Sequence, residues 1–251
     1  MIKLEQITCP DYLTSTKVKE LTAEFINSNK KKSVWKNKNI INSLLESSHD
    51  KCAYCECDVS EESKYMEVEH FKCKILYPNE VVLWSNLLPS CKRCNGIKGD
   101  HDVCLNPIIN PYIDEPNKHL KVRFARFRPI DDLGKETIDV LQLNDHQRLA
   151  RKRAKLVIAL DDKLDELKRK VVKFYHNPTD DREKRDILTK IYGILNECQP
   201  LEEYSGIMST TLIHNSDFIE IKTILENTTL WNNELSNLYD KCVDIAFDIC
   251  N

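Results

Sequence analysis

Apolar residues recur every three or four positions along several stretches of the chain, and this spacing predicts amphipathic helices. It indicates a first helix over Asp11–Lys32 and a second, shorter helix over Asn39–Ser47. Asn144 has the residue type of a helix N-cap, so a long helix is expected to run from there to about Tyr175. The same spacing predicts three further helices later in the chain, at Asp180–Cys198, Asp217–Glu226 and Leu230–Ile249.

Two segments show the alternation of polar and apolar residues that is typical of a β-strand. Tyr65–Lys74 alternates around Met66, Val68 and His70 within an otherwise loop-rich stretch. Leu120–Pro129 alternates more clearly and is expected to form one half-buried strand with a basic outer face. Its apolar side carries Leu120, Val122, Phe124 and Phe127, and its basic side carries Lys121, Arg123, Arg126 and Arg128.

The composition is that of a globular protein. Hydrophobic residues make up 41% and charged residues 31% of the 251 residues, which suffices for a core and is too mixed in charge for a disordered chain. No apolar run approaches the ~20 residues that a membrane helix needs, and the first residues lack the apolar region of a secretion signal. We therefore expect a cytoplasmic protein of one or two domains that does not associate with membranes.

The charge is distributed unevenly. The formal net charge is −3, but residues 201–251 carry −7 and the rest of the chain +4. A mildly basic body beside an acidic segment fits a nucleic-acid site in the body and a protein contact at the acidic segment. A solvated acidic helix face explains that segment equally well.

Seven of the eleven cysteines fall between Cys52 and Cys104. Cys52 and Cys55 form one Cys-x-x-Cys pair and Cys91 and Cys94 form another, with thirty-five residues between the pairs. Four thiolates in this arrangement suit tetrahedral Zn²⁺, which would tie the long loop at its base. A redox dithiol is the alternative, and Cys57 could replace Cys55 as a ligand. The other cysteines have no matched spacing and are by default expected to be small buried hydrophobes: Cys9, Cys57, Cys73, Cys104, Cys198, Cys242 and Cys250.

The motifs around this loop resemble those of the HNH endonucleases over roughly 51–107. They follow the family order of Cys-x-x-Cys, acid-His (Glu69-His70), Asn-Leu (Asn86-Leu87), Cys-x-x-Cys-Asn (ending at Asn95) and a lysine, Lys98. Asn95 stands where the family name has its second histidine. The resemblance implies a ββα-metal nuclease core at 50–130. With the helices predicted from the apolar spacing, this gives an α+β, mostly α-helical protein with a helical N-terminal region at 1–49 and a helical region at 131–251.

The chemistry of phosphodiester hydrolysis explains these residue types. His70 can accept the proton of the attacking water as a general base. The Glu69 carboxylate and the Asn95 amide oxygen suit a hard cation, Mg²⁺ or Mn²⁺, which would stabilise the leaving oxygen. Glu69 should project to the side opposite His70 unless the strand is bulged.

The resemblance also implies roles for two further residues. Asn86 would hold the His70 ring through its amide, although a turn-forming role is the alternative. Lys98 would contact a phosphate, although an exposed helix lysine is the alternative. Asp100 and His101 could reach the outer shell of the metal, but local capping is favoured, and Trp84 is expected to anchor the core.

Basic residues flank the same motifs and would attract phosphates without reading sequence. These are Lys72, Lys74, Lys92 and Arg93.

The segments CAYCE, EVEHFKCK, WSNLLPSCKRCNGIKGD and LNPIINPY, set between helical regions, resemble the PtuB family of HNH effectors from Septu-type and retron-linked antiphage systems. This resemblance implies a PtuA-type ABC/SMC-like ATPase as partner, DNA or tRNA as substrate, and a nuclease restrained by its complex. In retron-linked systems a reverse transcriptase with its nucleic-acid product is a further implied partner.

The acidic helices after residue 200, with Trp231 as an exposed candidate, are the predicted docking surface for the ATPase; the alternative is that they close the core of their own domain. Two other functions remain open: a non-catalytic zinc module that binds nucleic acid or protein, and a thiol-redox enzyme.

Overall fold

The structure, a computed structural model, describes residues 1–60, 65–177 and 181–250. Within these ranges the chain forms two compact units. The first contains Met1–His119 and Pro129–Leu143, and the second contains Leu120–Arg128 and the described part of Asn144–Asn251. The expectation of an α+β protein that is mostly helical is confirmed.

The first unit combines helices with one two-stranded sheet. In chain order its elements are α1 (Ser15–Asn27), α2 (Lys38–Ser48), β1 (Met66–His70), β2 (Leu87–Cys91), α3 (Lys92–Lys98), α4 (Pro116–His119) and α5 (Asp132–Leu141). Helix α1 is shorter than predicted because Thr14 caps its start and because Asn29 and Lys30 adopt left-handed backbone angles after its end.

The core of the first unit lies between α1, α2 and the sheet. Phe25 from α1 and Leu44 from α2 are fully buried, as are Val81, which precedes β2, and Leu87, the first residue of β2. Burial of such a side chain contributes about 1.5–3 kcal/mol. The core therefore fixes the sheet against the two N-terminal helices.

Strands β1 and β2 are antiparallel and pair without a bulge, from Met66 opposite Cys91 to His70 opposite Leu87. Strand β1 covers only the first half of the strand predicted over 65–74. Strand β2 was not predicted, because four of its five residues are buried and no polar–apolar alternation remains. Helix α3 begins directly after β2, so β1, β2 and α3 form a strand–strand–helix arrangement.

The second unit is a helical bundle with a small sheet. Its elements are β3 (Leu120–Arg123), β4 (Arg126–Pro129), α6 (Arg151–His176), α7 (Asp181–Asn196), α8 (Ser205–Ile213), α9 (Ser216–Asn227), α10 (Asn233–Ile245) and β5 (Asp248–Ile249). The sheet order is β4-β3-β5, with β5 parallel to β3.

The prediction of a single strand over 120–129 is wrong. The chain turns back at Phe124 and Ala125, which have φ angles of 50° and 59°, so β3 and β4 form a hairpin with a two-residue turn. Such turns usually carry an Asn-Gly or Asp-Gly pair. This turn consists of a phenylalanine and an alanine, so the sequence gives no sign of it.

The predicted N-cap at Asn144 is also wrong. The Asn144 amide instead accepts a hydrogen bond from the Phe127 backbone nitrogen and donates one to its carbonyl oxygen, both at 2.8 Å. Asp145 is the cap of a π-helical turn, His146–Ala150, that leads into α6.

The core of the bundle is formed by all five of its helices. Leu164 (α6), Ile191 (α7), Leu212 (α8), Ile221 (α9) and Leu235 (α10) are fully buried in one cluster. Helix α8 was not predicted because seven of its nine residues are buried, which removes the polar positions from the pattern.

The remaining helix predictions in the bundle were close. Those over 180–198 and 217–226 correspond to α7 and α9, although the predicted start at Asp180 lies outside the described residues. The last helix ends at Ile245, and β5 follows it. In the described ranges, no helix is both long and apolar enough to cross a membrane.

Candidate functional site

Four cysteines of the first unit meet as the sequence predicted. The Sγ atoms of Cys52, Cys55, Cys91 and Cys94 all lie within 4.8 Å of one another, and those of Cys55 and Cys91 are 3.8 Å apart. A Zn–S bond of about 2.3 Å in a tetrahedron requires sulfurs roughly 3.8 Å apart. The residues present therefore fit a zinc ion.

Local backbone structure prepares both cysteine pairs. The Cys52 backbone nitrogen donates to the Cys57 carbonyl at 2.8 Å, and the Glu56 nitrogen donates to the Cys52 carbonyl at 2.9 Å. In the second pair the Cys91 sulfur accepts from the Cys94 nitrogen at the start of α3. Among the described residues, the group that could hold a metal includes Cys55 and leaves out Cys57.

His70, at the end of β1, is almost fully buried. Its Nε2 atom lies 2.9 Å from the Val81 carbonyl oxygen, and the Trp35 ring packs edge-on against it with centroids 4.6 Å apart. A carbonyl oxygen only accepts hydrogen bonds, so Nε2 carries the hydrogen and Nδ1 keeps its lone pair. The ring is thus held in the tautomer that can accept a proton at Nδ1.

The charge state of His70 follows from its surroundings. Burial, together with the positive charge of Lys74, lowers the pKa of His70 to about 3, although the hydrogen bond to Val81 opposes this shift. The imidazole is therefore neutral throughout the physiological range, as a general base must be.

Glu69 and Lys98 form a buried ion pair. The Lys98 ammonium lies 2.7 Å from a Glu69 carboxylate oxygen and donates to the His70 carbonyl at 3.0 Å, and both side chains are at most 3% exposed. Burial raises the pKa of Glu69 to about 7, while the Lys98 charge opposes that rise. Lys98 therefore lies inside the unit, joined to both residues of the acid-His pair.

Glu67 lies two residues before Glu69 on the same face of β1, and the sequence analysis did not select it. Its carboxylate accepts a hydrogen bond from the Asn95 amide at 2.5 Å. Glu67 and Asn95 line an open cavity of about 480 Å³, together with Trp35 and Lys74. The period-2 alternation of β1 is the signal that could have identified Glu67.

The unbulged register of β1 decides how these residues face. Glu67 and Glu69 point towards α3, where Asn95 and Lys98 meet them one turn apart. His70 projects from the other face of the strand. The structure brings Glu69 to Lys98 and Asn95 to Glu67, and it records no contact between Glu69 and Asn95.

The buried Asn86 amide binds backbone. It accepts from the Lys72 nitrogen at 2.7 Å and donates to the carbonyl oxygens of Lys72 and Glu80, each at 3.1 Å. Glu80 directly precedes Val81, whose carbonyl orients the His70 ring. Asn86 therefore fixes the loop that holds the imidazole and not the imidazole itself.

The remaining side chains considered near the motif, Trp84, Asp100 and His101, have partners close by. Trp84 is a core residue that donates to the Ile7 carbonyl at 2.9 Å. Asp100 accepts from the Cys73 thiol at 3.1 Å, and His101 contacts the Asn106 carbonyl at 2.7 Å.

The four flanking basic residues differ in their surroundings. Lys72 pairs with Glu80, Lys74 lies over the Trp35 ring, and Arg93 donates to the carbonyl oxygens of Leu141 and Gln142. Lys92 is exposed on α3.

Trp231 is half-buried rather than exposed, which corrects the sequence expectation. Its ring packs against Phe218 and Tyr239 at centroid distances of 6.3 and 6.1 Å. Helices α8 to α10 contribute to the core of the second unit, so a docking surface on this segment can use only its outer face.

No family model matches the chain. The chain is similar to two proteins that are each described as Septu protein PtuB. One, from Bacillus thuringiensis, is 43% identical over 239 residues, which cover 95% of this chain and 92% of that protein. The other, from Bacillus mycoides (strain KBAB4), is 28% identical over 155 residues, which cover 49% of this chain and 52% of that protein.

Proposed function

We propose that this chain, which belongs to the PtuB family of Septu proteins, is a metal-dependent HNH endonuclease that hydrolyses phosphodiester bonds, with DNA as the expected substrate. The observation that carries the proposal is the imidazole of His70, whose tautomer leaves Nδ1 with a lone pair that can accept a proton. Its Nε2 donates to the Val81 carbonyl. His70 lies at the end of β1, and the four clustered cysteines join the Cys52–Cys55 turn to the start of α3 beside this strand. The protein would act as an antiphage effector.

His70 is the general base of the proposed reaction. Its Nδ1 lone pair accepts a proton from the attacking water, and the Val81 carbonyl stabilises the imidazolium that forms by accepting from Nε2–H. The low pKa of the buried ring keeps it neutral at rest, and that pKa must rise towards the working pH for efficient proton transfer.

Oxygen donors on the α3 side of β1 would hold a divalent cation. Glu67 and Asn95 are already in contact and line the open cavity. Trp35, whose ring contacts His70, lines the same cavity, so this cavity is where the base and the cation would act on one phosphate. Glu69 could join them only after leaving Lys98. When bound, Mg²⁺ or Mn²⁺ neutralises charge on the phosphate and on the leaving oxygen. Carboxylate and amide oxygens are the donors such hard cations prefer.

Zn²⁺ in the four-cysteine cluster would be structural. Four thiolates fill a tetrahedral site and leave no position for water. The ion would join the Cys52–Cys55 turn to the junction of β2 and α3, and so hold α3 across β1.

Lys98 and Asn86 are positioning residues in this proposal. The Lys98 ammonium binds Glu69 and the His70 carbonyl, and the Asn86 amide fixes the backbone next to Val81. Both act on the geometry around the base without contact to the reacting atoms.

Cleavage of plasmid DNA tests the proposal. The purified chain, alone and with its PtuA-type partner, should nick or cut DNA in Mg²⁺ or Mn²⁺ and not in EDTA. His70→Ala should reduce the rate by about 10²–10⁴-fold, as loss of a general base does. Zinc content equal to that of the parent protein provides the folding control. Parental cleavage by His70→Ala would reject His70 as the base.

A non-catalytic zinc module that binds nucleic acid or protein is the second candidate, and the burial of His70 favours it. The side chain is only 4% exposed beneath Trp35. This function requires bound zinc and DNA binding without cleavage under any divalent cation, in the presence or absence of the partner.

The outer face of the acidic segment is proposed to bind the PtuA-type ATPase. Deleting residues 201–251 would remove core residues of the bundle, so single charge changes are the better test. Asp240→Lys on α10 should weaken co-purification of the ATPase, and Asp162→Lys on α6 is the matched control, since both aspartates are exposed. Equal recovery with both variants would reject this surface.

A further inference from the structure

A basic groove lies in the second unit, outside the site described above. It runs between the β3–β4 hairpin and the start of α6 and has a volume of about 460 Å³. Four arginines line it, together with one histidine and one phenylalanine: Arg123, Arg126, Arg128, Arg151, His146 and Phe124. The basic residues that the alternating pattern of 120–129 predicts on one face lie here, but the proposed nuclease chemistry gives them no role.

Within the part of the chain that the structure describes, the four arginines have no acidic partners. Among the described residues, none forms an ion pair with any of them, and no acidic side chain lines the groove. Elsewhere in the same unit basic side chains are neutralised, as in the Lys163–Glu197 and Lys170–Asp186 pairs. The positive charge of the groove is therefore concentrated and uncompensated, which favours a polyanionic ligand.

The arginine face is held rigidly. Arg126 and Arg128 alternate along β4 with Phe127, which is fully buried. The Phe127 ring packs on Phe247 at 5.2 Å and under the Arg153 guanidinium at 4.8 Å. Two arginines on one strand face are about 7 Å apart along the chain, which is close to the spacing of successive phosphates on one nucleic-acid strand.

Phe124 forms the tip of the hairpin and is 86% exposed. Its φ of 50° is unfavourable for a bulky residue, yet the ring gains no burial. The Arg123 guanidinium lies 5.6 Å from the ring centroid. An exposed aromatic ring beside arginines is the combination on which unpaired bases stack in single-strand binding proteins.

We propose that this groove binds single-stranded nucleic acid, with the guanidinium groups on the phosphates and Phe124 stacked on an unpaired base. Planar guanidinium groups match phosphate oxygens in pairs, and the groove contains arginine and no lysine. An acidic protein surface fits less well, because the tip ring stands among charges and not in the apolar patch that forms the centre of a protein interface. The biological purpose of this binding rests on the proposed nuclease function, but the binding itself does not.

Fluorescence anisotropy with the full-length chain tests the proposal. His70→Ala serves as background so that cleavage cannot affect the signal. The probes are a labelled 20-nucleotide single-stranded DNA, the same sequence as RNA, and the DNA duplex. Arg126→Gln/Arg128→Gln is compared with Lys184→Gln/Arg185→Gln, a control that removes two basic side chains from α7 outside the groove.

The groove variant should weaken single-strand binding by tenfold or more, and it should flatten the dependence of log K on log salt by about 1.4, since each lost phosphate contact accounts for about 0.7. Phe124→Ala should weaken binding about 5- to 150-fold with an unchanged salt slope, because it removes stacking and no charge. The α7 control should bind like the background protein. The single strand, as DNA or RNA, should bind more tightly than the duplex.

Equal affinity of the groove variant and the α7 control for every probe would overturn the proposal. Parental nucleic-acid binding combined with lost co-purification of the ATPase would assign the groove to the partner protein and would also overturn it. Cleavage by the His70→Ala background would count against the proposed catalytic base, and the binding comparison would then be made without added divalent cation, so that the probes stay intact.

Discussion

The Nε2 atom of His70 and the carbonyl oxygen of Val81 are joined by a 2.9 Å hydrogen bond between residues eleven positions apart. Val81 follows a short 3₁₀ turn, Pro78–Glu80, whose last carbonyl is held by the Asn86 amide. The tautomer of the proposed base is therefore set by the connection between β1 and β2, and not by the strand that carries the histidine.

The stability of the protein should fall in mild acid because of His70. Its pKa is about 3 in the folded state and about 6.5 when exposed, so the neutral ring stabilises the fold above pH 6.5, and this contribution is lost as the pH falls towards 3. Between pH 7 and pH 5 the loss is about 2 kcal/mol. Urea unfolding of the parent and of His70→Gln at both pH values measures it. Any zinc loss in acid is common to both proteins, so an equal pH dependence would contradict the prediction.

Lys98→Met should destabilise the first unit more at pH 8 than at pH 6. Removing one partner of a buried ion pair costs about 3–5 kcal/mol when the other stays charged. Glu69, with a pKa already raised to about 7, can take up a proton in the variant and so limit that cost in acid. The difference from the parent should therefore grow by about 1 kcal/mol or more between the two pH values. Lys92→Met, on the exposed side of α3, is the control for urea unfolding, and a pH-independent effect would argue against the pair.

One zinc ion per chain should be found by elemental analysis, and it should depend on four particular cysteines. Cys91→Ser should lower both the zinc content and the melting temperature, because structural zinc contributes folding free energy directly. Cys57→Ser tests the neighbouring thiol, and the exposed Cys104→Ser is the control. Both should keep a full complement of zinc. Loss of zinc from Cys57→Ser, with retention in Cys55→Ser, would show that Cys57 is a zinc ligand in place of Cys55.

The concentration of Mg²⁺ needed for half-maximal cleavage should rise about tenfold or more in Glu67→Gln, since a carboxylate that binds the cation is lost. Glu5→Gln, an exposed change in the same unit, should leave it unaltered. The measurement is the cleavage rate across a Mg²⁺ titration. A rise in Glu69→Gln with none in Glu67→Gln would place the ion at Glu69, as the sequence motif alone suggested.

Spacing along the chain predicted the parts of the site that local chemistry determines. Two Cys-x-x-Cys pairs are sufficient to indicate four sulfurs around one ion, and these sulfurs do cluster. The partner of His70 could not be predicted, because any backbone carbonyl can accept its hydrogen bond. Glu67 was overlooked because the motif draws attention to the residue next to the histidine, although alternation places it on the face of β1 that meets Asn95.

The helices and strands also divide into those that the sequence could predict and those that it could not. Amphipathic helices such as α2 and α9 were predicted nearly to their ends, because one side of each faces solvent. Strand β2 and helix α8 are buried on nearly all sides, so the hydrophobic pattern carried no period. The β3–β4 turn carries a phenylalanine in a left-handed conformation, where sequence rules expect glycine or asparagine.

The Trp35 ring covers the imidazole of His70 and leaves it 4% exposed. On the proposed function, the resting effector is latent, because an imidazole this buried meets a water molecule and a phosphate only after the packing around it opens. Activation would then consist of a change in the packing around one side chain, and the Trp35 ring is part of that packing.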